Sequence, residues 1–188
     1  MTKPLEQMTL EELWQLFPIF LRPHSDDWAA WYKEETARLA PVWDIPEVRV
    51  WHVGSTSIRS IWAKPIVDIL VEIPLSCSMD QVKQALLSVG YRCMWEGKER
   101  KIFNKGYTEH GFAQKVFHLH LRRRGDNDEL YFRDYMNDHP ALAKEYEALK
   151  LKLWKQYEHD RDGYTDAKTA FVTAHTQAAK QEYAGRYA

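Results

Sequence analysis

Cysteine is nearly absent. Cys77 and Cys93 are the only two in 188 residues. Two thiols make no disulfide framework and no metal-binding motif, so they read as small buried or half-buried side chains. Charge of one sign is also lacking. The chain has 26 Lys and Arg against 27 Asp and Glu, a net charge of −1. The one block of like charge is Arg122-Arg123-Arg124. A broad nucleic-acid footprint is therefore not expected. No apolar run approaches the ~20 residues of a membrane span. The first residues carry Lys3, Glu6, Glu11 and Glu12 instead of an apolar leader. The expectation is a soluble cytoplasmic protein with no membrane partner. No internal repeat or low-complexity segment stands out, and nothing marks an oligomeric state.

What is plentiful is tryptophan, eight residues in a chain long enough to build a sizeable core. The most informative stretch is VRVWHVGSTSIRSIWAKPIVDILVEI, residues 48–73. Val48, Val50 and His52 alternate with Arg49, Trp51 and Val53, the period of a strand. Gly54-Ser55-Thr56-Ser57 breaks that pattern. Glycine permits a sharp turn, and backbone N–H groups gathered there suit an anion. After Lys64-Pro65, the run from Ile66 to Val71 is nearly all apolar and β-branched, which predicts a strand buried on both faces. Asp68 interrupts it. A buried carboxylate is costly unless paired, hydrogen-bonded or metal-bound, so Asp68 is the first functional candidate. The plain alternative is a carboxylate that caps the turn or pairs with Lys64 or an arginine. Glu72 shares its face but lies about 13 Å further along the strand.

Thr9 to Glu12 fits a capping box before a short helix that Pro18 ends. Trp28, Trp31, Tyr32, Glu35 and Leu39 follow helical spacing up to Pro41. Ser78 to Gln81 is a second capping box, and Val82, Leu86 and Val89 predict a helix closed by Gly90. Strands are predicted at 91–95 and 100–105, with 106–111 as a polar loop. The last strand is Lys115 to Leu121. Two residues apart on it, His118 and His120 share one face. With Asp68 they form a plausible mononuclear metal set, since imidazole suits Zn, Mn, Fe or Ni. Phosphate contact, general-base work, or two histidines satisfied by backbone or Asp68 are the competing roles. Arg122 opens a basic run that reads as a solvated strand end or a contact for phosphate or carboxylate. From Asp128 the chain is helical, with one amphipathic helix over 142–157, a break at Asp162-Gly163, another helix over 164–178, and a frayed tail after Gly185.

Strand, Gly-Ser turn, helix and Asp-bearing strand resemble the nucleotidyltransferase superfamily. More narrowly, HVGSTS, AKPIVDILV and HLH, with FRDYMNDHP, EYEALK and YTDAK, look like the GrpB family. The resemblance runs from about Trp28 to about Phe171. It implies an α+β fold with an α/β core: a nucleotidyltransferase-like mixed sheet over residues 1–127 with flanking helices, and a C-terminal helical segment over 128–188 packed on it. In the superfamily a Gly-Ser turn holds the triphosphate, and two acids two residues apart bind Mg²⁺. Here the second acid is replaced by Leu70, and Arg59-Ser60 stands where many GrpB members read Pro-Gly. Arg133, Lys150 and Lys168 lie in matching blocks. The resemblance makes them candidates for nucleotide contact, with surface salt bridges as the ordinary alternative.

Three functions follow as expectations. The first is transfer of a nucleotide from a triphosphate to a small acceptor, assisted by Mg²⁺ or Mn²⁺. Gly54, Ser55, Thr56, Ser57 and Lys64 would then hold phosphate, Asp68 would bind the metal, and His118 or His120 would complete its shell or take a proton. The second is a binding module for a nucleotide or another phosphorylated small molecule. In some proteins a GrpB-like domain is appended to dephospho-CoA kinase, which points by analogy to CoA or adenylate metabolism. The third is a mononuclear metalloenzyme on Asp68, His118 and His120, with Zn²⁺ as the candidate ion.

Overall fold

The computed structural model describes residues 3–42 and 47–187. Five strands form one mixed sheet: β1 (Arg49–Val53), β2 (Val67–Ile73), β3 (Arg92–Glu96), β4 (Arg100–Thr108) and β5 (Gly111–Arg123). Their order is β1-β2-β5-β4-β3. Only β2 and β5 pair parallel; every other neighbouring pair is antiparallel. The parallel pair is central, which is why β2 reads as a continuous apolar run.

The period of two in β2 divides its side chains between two layers. Val67, Ile69, Val71 and Ile73 join Phe103, Phe117, Leu119 and Leu121 in the main core. Helices α2 (Asp27–Leu39) and α3 (Met79–Ser88) cover that face with Trp28, Leu39, Met79, Val82 and Leu86. The other face presents Asp68, Leu70 and Glu72. Leu70 packs with Val53 and with Leu130 of α4 (Asp128–Asp138). Glu72 is fully buried, and its carboxylate accepts from Trp51 Nε1 at 2.8 Å, Gly125 N at 2.9 Å and Asn127 Nδ2 at 3.0 Å. Those three donors offset its desolvation and tie β1 to the turn after β5.

Helices α5 (Pro140–Gln156) and α6 (Arg161–Glu182) complete the second layer. Phe132, Met136, Ala143 and Tyr146 pack on Ile58 and Ile61, which follow the Gly-Ser turn. Leu153 and Tyr164 pack on Ile19. The helix α1 (Leu10–Leu16) has the expected capping box, with Thr9 Oγ1 accepting from Glu12 N and Glu12 reaching back to Thr9 N.

Three expectations are corrected. Residues 106–111 are not a loop, because β4 and β5 continue through them as a hairpin. Gly106, at φ +92°, forms a bulge where a Cβ would lie 2.4 Å from Lys115 O, so the chain keeps pairing past a residue that looks like a terminator. Asp162-Gly163 does not break a helix. It lies in the first turn of α6, with Asp160 as N-cap accepting from Gly163 N at 2.8 Å. The tail does not fray through Tyr187, whose ring packs edge-on against Trp51 and Tyr131 and whose hydroxyl accepts from Arg133 at 3.0 Å.

Candidate functional site

A cavity of about 670 Å³ lies between the Asp68 end of β2, the Gly-Ser turn and helices α4 to α6. Asp68 is flanked in the sheet by Val53 of β1 and His118 of β5. Its two oxygens have different neighbours. Oδ1 is 3.4 Å from both His118 Nδ1 and His120 Nε2. Oδ2 occupies the space that a side chain on Gly54 would fill, 2.2 Å from an ideal Cβ. Gly54 has φ +70° and ψ −174°, a conformation that only glycine adopts freely. The glycine thus turns the chain and makes room for the carboxylate.

His118 is held from both ends. Nδ1 faces Asp68, while Nε2 is 2.8 Å from Tyr107 Oη and 3.3 Å from Arg161 Nη2. Arg161 is a donor only, so Nε2 must be the accepting nitrogen and Nδ1 carries the proton toward Asp68. Burial lowers the His118 pKa to about 4, and the Asp68 contact offsets this only in part. The imidazole is therefore neutral near pH 7. Asp68 goes the opposite way. Burial raises its pKa, but the hydrogen bonds from His118 and His120 outweigh burial and hold it well below the usual carboxylate range. His120 Nδ1 is buried with no hydrogen-bond partner.

The cavity's cations outnumber its free carboxylates. Lys64, Lys150, Arg161 and Lys168 all line it. Lys64 Nζ and Lys168 Nζ face the same Tyr164 ring, at 5.2 and 4.1 Å from its centre. Lys150 sits 4.8 Å over the Tyr146 ring and donates to Trp62 O. Among the described residues none of these four makes an ion pair with a carboxylate. The other acids of the wall are already paired: Asp128 with Lys180 and Glu129 with Arg122, each at 2.7 Å. Burial first, then the like charges of Lys168 and Arg161, lower the Lys64 pKa to about 7. Burial and Lys168 lower Lys150 to about 7, and burial and Arg161 lower Lys168 to about 8.

The expected site residues divide into two sets. Gly54, Ser55, Lys64, Asp68, His118, Lys150 and Lys168 meet at the cavity. Thr56, Ser57, Arg122 and Arg133 are engaged elsewhere. Thr56 Oγ1 bonds His52 Nε2 at 3.0 Å, and Ser57 Oγ donates to Gly54 O at 2.6 Å. Arg122 pairs with Glu129, while Arg133 binds Asp134, His52 O and Tyr187. Arg133 thus ties α4 to the end of β1. Arg161 and Tyr107 are the important additions. Tyr107 was hidden in the supposed loop, and Arg161 adjoins the supposed helix break.

Asp68, His118 and His120, the three candidate metal ligands, contact one another directly. Metal ligands direct lone pairs at one point about 2.0–2.2 Å away. Here both imidazoles turn a nitrogen to the same oxygen of Asp68, and Tyr107 and Arg161 take the remaining nitrogen of His118. Among the described residues no group of three or more His, Cys, Asp and Glu side chains is placed to hold an ion. The two-acid Mg²⁺ site implied by the nucleotidyltransferase resemblance does not fit. Leu70 occupies the second position, fully buried in an apolar cluster.

The family model for GrpB protein matches residues 18–178. The chain belongs to the GrpB family. It is 34% identical over 162 residues to the glutamate-rich protein GrpB of Alkalihalophilus pseudofirmus, covering 82% of this chain and 91% of that protein. It is 31% identical over 166 residues to the UPF0157 protein YqkA of Bacillus subtilis, covering 87% of this chain but 48% of YqkA, so it spans about half the length of that relative. The crystal structure of GrpB from Enterococcus faecalis superposes with a TM-score of 0.75 at 25% identity, over 87% of this chain and 99% of that one. The GrpB assignment thus includes both the sheet and the helices that enclose the cavity.

Proposed function

We propose that this GrpB protein binds a nucleotide or a closely related phosphorylated metabolite, such as a CoA-type adenylate, in the cavity beside Asp68. The observation that carries this reading is the set of four cations, Lys64, Lys150, Arg161 and Lys168, on a cavity where, among the described residues, Asp68 is the one carboxylate not paired with a lysine or arginine. Burying an ammonium costs several kcal/mol. A cation–π contact returns only ~0.5–2 kcal/mol. Asp68 attracts Lys64 and Lys168, and Glu147 attracts Lys150, but among the described residues no carboxylate forms an ion pair with any of the three, which leaves counter-charge for an anionic ligand to supply. Phe132, Tyr146 and Val172 add apolar wall beyond the cations, and Thr176 and Gln177 add hydrogen-bonding groups. That combination suits a molecule with a charged tail and a planar head. Leu70 weighs against the two-metal transfer chemistry of the wider superfamily.

A second reading, transfer to an acceptor, draws on His118. A neutral imidazole oriented by a carboxylate is the state of a general base. The acceptor hydroxyl would have to displace Tyr107 and Arg161 from His118 Nε2, and would lose its proton there as its oxygen bonds to the α-phosphorus. The bond from that phosphorus to the departing pyrophosphate would break.

Calorimetric titration with ATP and with CoA tests the binding reading. Saturable, near-stoichiometric binding of one of them is expected, weakened about tenfold or more in Lys168→Gln, since a hydrogen bond to a charged group contributes ~1.5–3 kcal/mol. Absence of binding by either would refute the proposal. Pyrophosphate release during incubation with ATP would favour transfer.

A further inference from the structure

The resemblance to nucleotidyltransferases implies a divalent metal ion between protein and phosphates, yet the residues at that place do not suit one. Asp68 is a lone carboxylate. One of its oxygens is shared by two imidazoles, and the other is pressed against Gly54. Leu70 removes the second acid and fills its place with packed hydrocarbon. The charge missing from the metal position appears across the cavity, in Lys64, Lys150, Arg161 and Lys168. These come from three separate parts of the chain: the segment before β2, the helix α5 and the first two turns of α6. Lys64 and Lys168 converge on one ring, Tyr164. Arg161 is fixed by its contact with His118 and lies over the Tyr107 ring at 5.9 Å.

We propose that Lys64, Lys150, Arg161 and Lys168 neutralise the ligand's phosphates in place of a divalent metal ion, so that the chain takes up its polyphosphate as the metal-free anion. This rests on the phosphate-binding reading above and assigns how that site handles charge. A magnesium ion chelated by the ligand would cancel part of the charge that the four cations attract. Asp68 then opposes the anion instead of recruiting it through a metal. Its work is to orient the His118 ring.

The two arrangements predict opposite effects for Asp68→Asn. In a metal-dependent site the carboxylate holds the ion, and its loss abolishes binding. In a cation cradle, removing a negative charge beside the phosphates leaves affinity equal or higher.

The test is calorimetric titration of the full chain with inorganic tripolyphosphate and with ATP, each in EDTA and in excess Mg²⁺. Wild type, Asp68→Asn, Lys64→Gln and Lys168→Gln are compared. The expected result is tripolyphosphate binding in EDTA at least as tight as in Mg²⁺, unchanged or tighter in Asp68→Asn, and about tenfold or more weaker in each lysine variant. Binding that requires Mg²⁺ and vanishes in Asp68→Asn would overturn the inference while leaving nucleotide binding intact. Tripolyphosphate binding in EDTA with no added affinity for ATP would support the cradle and remove the nucleotide reading. No binding of any probe by a folded wild type would overturn both. Melting curves of each variant without ligand separate lost binding from lost folding.

Discussion

At the scale of the residue, Gly54 has the least freedom to change. Its backbone angles exclude other residues, and the space its side chain would take already holds the Asp68 carboxylate. Gly54→Ala should therefore destabilise the fold by about 1–3 kcal/mol, read from the urea midpoint. Adding Asp68→Ala should recover the part due to the clash and none of the part due to φ. A double-mutant cycle separates the two, and strictly additive losses would show that the turn relaxes away from the carboxylate. Asp68 and Gly54, both on the cavity wall, were legible in the sequence, because a charge in an apolar strand and a glycine at a strand end stand out locally. The pairing of Asp68 with the two histidines stood only as one of several competing roles. Nothing in the spacing of 68 and 118 reveals that they are opposite each other in a parallel pair.

At the scale of the element, the β4–β5 hairpin determines whether His118 has a partner at Nε2. The bulge at Gly106 shifts the register between Lys105 and Tyr107, and Tyr107 then reaches His118. Gly106→Val should lower the melting temperature and remove amide-exchange protection over residues 105–117, because its Cβ meets the Lys115 carbonyl. Protection that survives unchanged would mean that the hairpin accommodates the side chain without the bulge. The element boundaries with local chemistry were readable: the Thr9 capping box, the stop at Gly90 and the apolar period of α5. The boundaries decided by distant contacts were not. Gly106 and Gly163 look like breakers in isolation. Each is small because a neighbouring carbonyl or an N-cap carboxylate stands where its side chain would be.

At the scale of the molecule, the same burial that shapes the cavity makes its stability depend on pH. His52 and His118 have pKa values lowered from 6.5 to about 4, chiefly by burial. Between those values the unfolded chain binds more protons, so stability falls as pH drops from 6.5 towards 4. Lys64 and Lys150 are lowered from 10.5 to about 7, and Lys168 to about 8, again chiefly by burial. In that window too the unfolded chain holds more protons. The ligand-free protein should therefore gain stability as pH rises from about 7 to 10, and saturating tripolyphosphate should flatten or reverse that rise by keeping the lysines charged. Melting temperatures across pH 4–10 with and without tripolyphosphate check both arms. A ligand-free profile flat above pH 7 would argue against three lysines sharing one buried cavity.

What the sequence determined alone was whatever depends on neighbours along the chain. That includes the periods of two and of three to four residues, the caps, the Gly-Ser turn, and the rank of Asp68 and the two histidines as unusual polar groups in apolar strands. These follow from backbone sterics and from the cost of burying charge, which act on any segment wherever it sits. What only the tertiary structure decided was how those groups are spent. It turned two expected metal ligands towards a carboxylate. It committed Arg122 and Arg133 to fixing α4, and it gathered Lys64, Lys150, Arg161 and Lys168 around one cavity. Charge interactions fall off with distance in space and take no account of distance in sequence. The function of a lysine is therefore set by the helix packing that brings it beside another.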